Sequence, residues 1–152
     1  MSDASVVAFV LVTGPAEQDV DATAAVRRLA EVAGRVVVVT PELPLDAAVT
    51  AVLPGVRVVL VHDPVCGELS SVVASRVVRE VVATGRPVVP VLPCSDTVKR
   101  LDDSAVVMDT PDRGELRVVV SPVGYPAELI TSGAVVAGRV PVGAVTIDGG
   151  PA

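Results

Sequence analysis

The only lysine of the chain, Lys99, sits in the segment Ser95-Asp96-Thr97-Val98-Lys99-Arg100, and a second polar segment, Pro111-Asp112-Arg113-Gly114, follows closely. The Thr97 hydroxyl and the Lys99 and Arg100 cations, at such short spacing, are groups that bind and neutralise a phosphate. The same residues would equally suit the tip of a solvated polar arm, and their types alone leave both readings open. A third candidate is His62-Asp63, which ends an apolar run. Its carboxylate is placed to hold Mg²⁺ or a sugar hydroxyl, although Asp63-Pro64 is also an ordinary turn starter. Thr13-Gly14-Pro15-Ala16-Glu17-Gln18 stands where a nucleotide-binding fold would carry a glycine-rich turn. It has one glycine, a proline that removes an amide, and an acid that repels phosphate.

Strands and helices in alternation would position these segments. Val6 to Thr13 predicts a buried strand ending at Gly14-Pro15. Asp21 would cap an amphipathic helix with Ala25, Val26, Leu29, Val32 and Ala33 on its apolar side and Arg27, Arg28 and Glu31 opposite, closed by Gly34. Arg35 to Thr40 predicts a strand, Asp46 to Leu53 a short helix, and Val56 to His62 a third strand. A loop over Asp63 to Leu69, a helix from about Ser70 to Thr84 ended by Gly85, and a fourth strand over Pro87 to Leu92 complete the pattern. Unbroken apolar strands separated by amphipathic helices mark a mostly parallel sheet covered on both faces. The fold class is therefore α/β, a three-layer doubly wound sandwich. Residues 93–120 would form a protruding β-arm, Pro126 to Ala137 a last helix and Val140 to Ile147 a final strand. The expected organisation is one domain over 1–148 with a frayed tail at 149–152.

The bulk composition narrows the function. The chain has 152 residues, long enough for one self-sufficient core. It is 51% hydrophobic, yet no apolar run approaches the roughly 18 residues needed to cross a bilayer, so a soluble protein with no membrane partner is expected. Phe9 and Tyr125 are the only aromatics, too few for the stacking platforms of single-strand binders. A net charge of −6 disfavours duplex binding, which needs clustered cations. Nucleic acid is thus an unexpected partner. Cys66, Cys94 and His62 stand apart, with no zinc-ligand spacing among them. With no basic and apolar leader at the start, a reducing cytoplasm is the expected compartment. Cys66 itself reads as an inert thiol, because no activating cation can be inferred beside it.

In order and spacing these segments resemble the methylerythritol phosphate cytidylyltransferase family of the non-mevalonate isoprenoid pathway, from about Val56 to Pro126. Family members carry His-Asp-Ala-Ala-Arg-Pro where this chain has His62-Asp63-Pro64-Val65-Cys66-Gly67. They carry Pro-Val-x-Asp-Thr-x-Lys where it has Pro93-Cys94-Ser95-Asp96-Thr97-Val98-Lys99. The family's Asp-Arg pair is matched by Asp112-Arg113, and its Thr-Pro-Gln-x-Phe-Pro by Ser121-Pro122-Val123-Gly124-Tyr125-Pro126. The resemblance implies a nucleotidyltransferase-like sandwich whose β-arm clasps a second copy in a homodimer. It also implies a sugar-phosphate site at Asp63, Thr97, Lys99, Arg113 and Ser121, with Arg113 reaching across from the partner and Asp63 a ligand for Mg²⁺.

Departures from the family pattern are as informative. The family's Ala-Ala-Gly-x-Gly-x-Arg loop and its following Pro-Lys hold the CTP triphosphate, and Thr13 to Gln18 lacks them. The cytidine-recognising Gly-Gly-x-x-Arg-x-x-Ser is missing, and the pocket arginine is replaced by Cys66. Asp148 has no lysine partner near the C-terminus. Since losing one charge-stabilising group typically costs ~10²–10³ in rate, the first reading is a shortened homologue with weak or lost catalysis, a pseudoenzyme keeping its dimeric scaffold or a sugar-phosphate-binding role. The second is an active nucleotidyltransferase, a cytidylyltransferase by resemblance, with an altered triphosphate site that uses another nucleotide or a complementing subunit and needs a cation facing the crevice above Thr13. Arg27, Arg28 and Arg35 are the only candidates, and Arg27 and Arg28 suit an exposed helix face. A third reading is a flavodoxin-like domain binding a small anion at Ser95 to Arg100.

Overall fold

The computed structural model describes residues 3–12, 20–40, 45–52, 54–130 and 140–150. Strand β1, Asp3–Leu11, is buried without a break from Val6 onward, because both of its faces are covered. Side chains alternate across a strand, so Val6, Ala8 and Val10 enter one hydrophobic cluster while Val7, Phe9 and Leu11 enter the other. The first cluster is closed by helix α1, Val20–Ala30, through Ala22, Ala25 and Leu29, and by helix α3, Ser71–Thr84, through Val73, Ala74, Val77 and Val81. Helix α2, Leu45–Val52, covers the opposite face with Ala48 and Val49. Helices therefore lie on both sides of the sheet, the three-layer α/β arrangement expected.

Strand β2, Ala33–Val39, and strand β3, Val58–His62, flank β1 and run parallel to it. Gly34 does not close α1. That helix ends at Ala30, where the Glu31 and Val32 amides donate to the carbonyls of Arg28 and Leu29, and Gly34 already belongs to β2. A Cβ there would lie 2.5 Å from the Cα of Ala4, so the glycine serves a close strand approach. The α1 start is also one residue earlier than the expected Asp21 cap. The boundaries of α3 are as expected: Ser70 accepts the Val73 amide at 3.4 Å, and Gly85, at φ 63°, returns its amide to Val81. The turn expected over residues 13–18 lies outside the described residues.

The largest departure is on the far side of β3. Pro126 does not open a helix. It ends strand β8, Val123–Pro126, which lies between β3 and strand β4, Val88–Pro93, and runs antiparallel to both. A 3-10 turn follows over Ala127–Leu129, and residues 131–137 of the expected helix are outside the described set. Gly124 suits β8 because α3 presses onto it: a Cβ would lie 2.4 Å from Val77 Cγ1 and 2.8 Å from Val81 Cγ2. Gly124→Ala is expected to destabilise the fold by about 1–3 kcal/mol through overpacking. An unchanged urea midpoint for this variant would show that α3 can move away freely.

Beyond β4 the chain leaves the sheet. Strands β5, Arg100–Leu101, and β6, Val107–Asp109, form their own two-stranded hairpin, and residues 95–110 are exposed throughout. Asp102 Oδ1 accepts the amides of Ser104 and Val106, each at 2.9 Å, to turn the hairpin. The chain re-enters the main sheet as strand β7, Arg117–Val119, antiparallel to β4. Strand β9, Val145–Asp148, lies parallel to β4. The expected fraying from 149 is not observed at Gly149 and Gly150: the Gly149 amide donates to Val91 at 2.8 Å and Arg76 donates to the Gly150 carbonyl.

Candidate active site at the carboxyl ends of the strands

From β1 the chain crosses to β2 on one side and later to β3 on the other, so the carboxyl ends of β1 and β3 flank the point where strand order reverses. Ligands of open α/β sheets bind at such a point. His62 closes β3 and is 2% exposed. The next residue, Asp63, is tied to the bend that leads into the adjacent strand β8: its amide donates to Ser121 Oγ at 3.1 Å, and the Ser121 hydroxyl donates to the Asp63 carbonyl at 3.2 Å. Ser121 is buried. The hydroxyl thus satisfies both backbone groups of Asp63 and fixes the loop from which its carboxylate projects.

Thr97, Lys99 and Arg113 are exposed and belong to the arm. Lys99 Nζ donates to Thr110 Oγ1 at 2.8 Å, bridging the two sides of the hairpin. An Arg113 guanidinium nitrogen donates to the Ser95 carbonyl at 3.1 Å, and Asp112 caps the following 3-10 turn by accepting the Gly114 amide at 2.9 Å. Arg100 pairs with Asp109 at 3.2 Å. The five residues singled out from the sequence therefore form two groups, Asp63 with Ser121 at the sheet and Thr97, Lys99 and Arg113 on the arm.

Arg28 does not lie on the fully exposed face that its helical position suggests. It is half-buried, donates to the Leu69 carbonyl and pairs with Glu68 at 2.8 Å. Below this pair lies a cavity of about 200 Å³ between α1 and the β3–α3 loop, lined by Ala24, Ala25, His62, Pro64 and Leu69 among others. Its place beside Leu29 on the flank of the apolar stripe was the available signal. Arg27, by contrast, is exposed as expected.

Burial pushes the Cys66 thiol up from its ordinary value, and the negative charge of Asp63 adds to this, while a hydrogen bond with Ser121 works against it. Cys66 is accordingly a poor nucleophile, and both cysteines are free. Iodoacetamide at pH 8 should alkylate Cys66 in the native protein several-fold more slowly than in the urea-unfolded chain, and equal rates would contradict the raised thiol. Burial likewise raises the Tyr125 hydroxyl. Both groups are held neutral by the fold, so their contribution to stability is complete below the ordinary thiol value of 9.0. It is lost as pH climbs through that value and then past 10.0, the ordinary value for tyrosine. Denaturation midpoints measured from pH 8 to 11 should fall, and a rise would reverse the sign.

Among the described residues no group of three or more His, Cys, Asp and Glu could hold a metal ion. No helix among them is long and apolar enough to cross a membrane.

A mostly parallel sandwich with antiparallel β8 set inside it, antiparallel β7 beside β4 and a separate two-stranded hairpin defines a nucleotidyltransferase-like fold. The solved 2-C-methyl-D-erythritol 4-phosphate cytidylyltransferase of Thermus thermophilus shares it, with a TM-score of 0.60 at 24% identity over 80% of this chain and 71% of that one. The chain belongs to the 2-C-methyl-D-erythritol 4-phosphate cytidylyltransferase family, whose model matches residues 43–148. The Rhodococcus opacus (strain B4) protein of that name is 42% identical over 80 residues, 53% of this chain and 35% of the relative. The Corynebacterium glutamicum (strain R) protein is 46% identical over 69 residues, 45% of this chain and 27% of the relative. The matched stretches thus span about a third of the length of these curated relatives.

Proposed function

We propose that this family member is a divergent homologue with weak or lost cytidylyl transfer that keeps a sugar-phosphate-binding role and a dimeric scaffold. The observation that carries this reading is the placement of the sole lysine. Lys99 lies on the arm, bonded to Thr110, so arginines alone must meet the triphosphate charge. Transfer from a triphosphate depends on several positioned cations, and among the described residues Arg28 is the single arginine lining the cavity beside His62 at the end of β3.

Retained sugar-phosphate binding is supported by the Ser121 clamp on Asp63 and by the family's arm residues Thr97 and Arg113, the latter offered to a second copy. The arm's exposed Leu101, Val106, Val107 and Met108 make better physical sense when buried against that copy. Mg²⁺ would enter with a nucleotide rather than reside in the chain, and the cytoplasm is the compartment for such a role.

Calorimetric titration tests the reading, with methylerythritol phosphate and CTP plus Mg²⁺ added separately. The expected result is binding of the sugar phosphate without binding of CTP. CTP binding accompanied by pyrophosphate release would favour the active enzyme instead. Failure of both ligands would remove the binding role.

A further inference from the structure

The cavity beneath the Arg28–Glu68 pair is built like a ligand site, and none of the residues singled out for the sugar phosphate lines it. Its walls are Ala24 and Ala25 of α1 with Pro64 and Leu69 of the loop, and the buried His62 also lines it. Small side chains on α1 leave the space open, and Gly67, at φ 95°, turns the loop before Glu68. At about 200 Å³ the cavity has room for roughly seven waters at ~30 Å³ each, below the ~300–1,000 Å³ of drug-sized sites. The ligand must therefore be small.

Its charge follows from the mouth of the cavity. Arg28 is held by the Leu69 carbonyl as well as by Glu68, so one anchor of its guanidinium remains when Glu68 leaves. Glu68 is a different kind of partner, with a side chain 81% exposed against 41% for Arg28. An exposed carboxylate paired in this way gains little from the contact and is readily exchanged for another. Glu68 thus occupies the place of a ligand carboxylate, beside apolar walls suited to a compact hydrocarbon body.

We propose that the cavity between α1 and the β3–α3 loop binds a small monocarboxylate with a compact apolar body, whose carboxylate displaces Glu68 from Arg28. The inference is independent of sugar-phosphate binding, because it uses neither Ser121 nor the arm.

The test is titration of the full chain with benzoate, read by amide chemical shifts and calorimetry, alongside the uncharged benzyl alcohol and inorganic phosphate. Saturable benzoate binding at about 1 mM or tighter, with shifts centred on Ala24, Ala25, Gly67 and Leu69, is the expected result. Benzyl alcohol should bind at least tenfold more weakly. Glu68→Gln should tighten benzoate several-fold by removing the competitor, and Arg28→Gln should weaken it tenfold or more, whereas Arg79→Gln on the exposed face of α3 should leave it unchanged. Glu68 is so exposed that its variant keeps the test open if Arg28→Gln does not fold. Absence of saturation, weaker binding by Glu68→Gln, or phosphate binding as tightly as benzoate at the same amides would overturn the proposal. Loss of methylerythritol phosphate binding alone would leave this result intact.

Discussion

Replacing Phe9 by alanine should remove about 3–5 kcal/mol of stability, the usual cost of deleting a buried aromatic ring. Against a total of roughly 5–15 kcal/mol for a domain, that is from about a fifth to the whole of the stability. Phe9 is the only phenylalanine, is fully buried in the inner strand β1, and sits between Val37 of β2 and Val61 of β3. The cavity would not refill easily. The surrounding cluster consists mainly of valine, leucine and alanine from the strands and from α2, and valine has little rotameric freedom. Thermal and urea denaturation would both register the loss, with Tm lower by about 10 °C or more. A change below about 1 kcal/mol would mean that α2 collapses onto the gap and that this side of the core is loosely packed.

The second large effect concerns association. Met108 is 64% exposed at the end of an apolar stretch on the arm, and burying such a side chain in a dimer is worth roughly 1.5–3 kcal/mol. Met108→Asp removes that gain and adds a charge that must be desolvated, so the dimer dissociation constant should rise by about 10²-fold. Sedimentation velocity over a concentration series measures this directly. The folded subunit should lose little stability, because the hairpin forms its own small sheet. If the unmodified chain sediments as a monomer at tens of micromolar, the dimeric role of the arm falls.

Much of this architecture was legible because the sequence punctuates it. Val58 to His62 is an apolar run long enough for a strand and too short for a helix, and Ser70 and Gly85 carry the chemistry of the two ends of α3. The polar stretch after Pro93 signalled an arm for the opposite reason, since too few apolar residues recur there to be buried at either period. Gly34 misled because a glycine after a helical pattern looks the same whether it caps the helix or admits a neighbouring backbone. Only the 2.5 Å approach to Ala4 distinguishes them. Strand β8 was hidden more deeply. Its Gly-Tyr-Pro sequence has the chemistry of a turn, and its strand character comes from β3, β4 and α3 around it.

The site was legible to the same degree. Residues of familiar type at familiar spacing, Asp63 and Ser121, came together through backbone hydrogen bonds that no spacing rule specifies. Arg28 escaped because one position of rotation about a helix separates a solvent-facing arginine from one poised over a cavity.

The insertion of β8 between β3 and β4 also governs the order in which the molecule can be made. The strands on either side of it are complete by Pro93, yet they have no partner to join them until Val123 to Pro126 has been added. While a ribosome is still synthesising the arm, the nascent sheet is divided into a β1–β2–β3 half and a lone β4, each with an open edge. Such pairings across long sequence separation are slow to form, and exposed edges in that interval invite association with other chains. The arm is synthesised within that same interval, so the segment proposed to join two finished copies emerges before either copy can finish its own sheet.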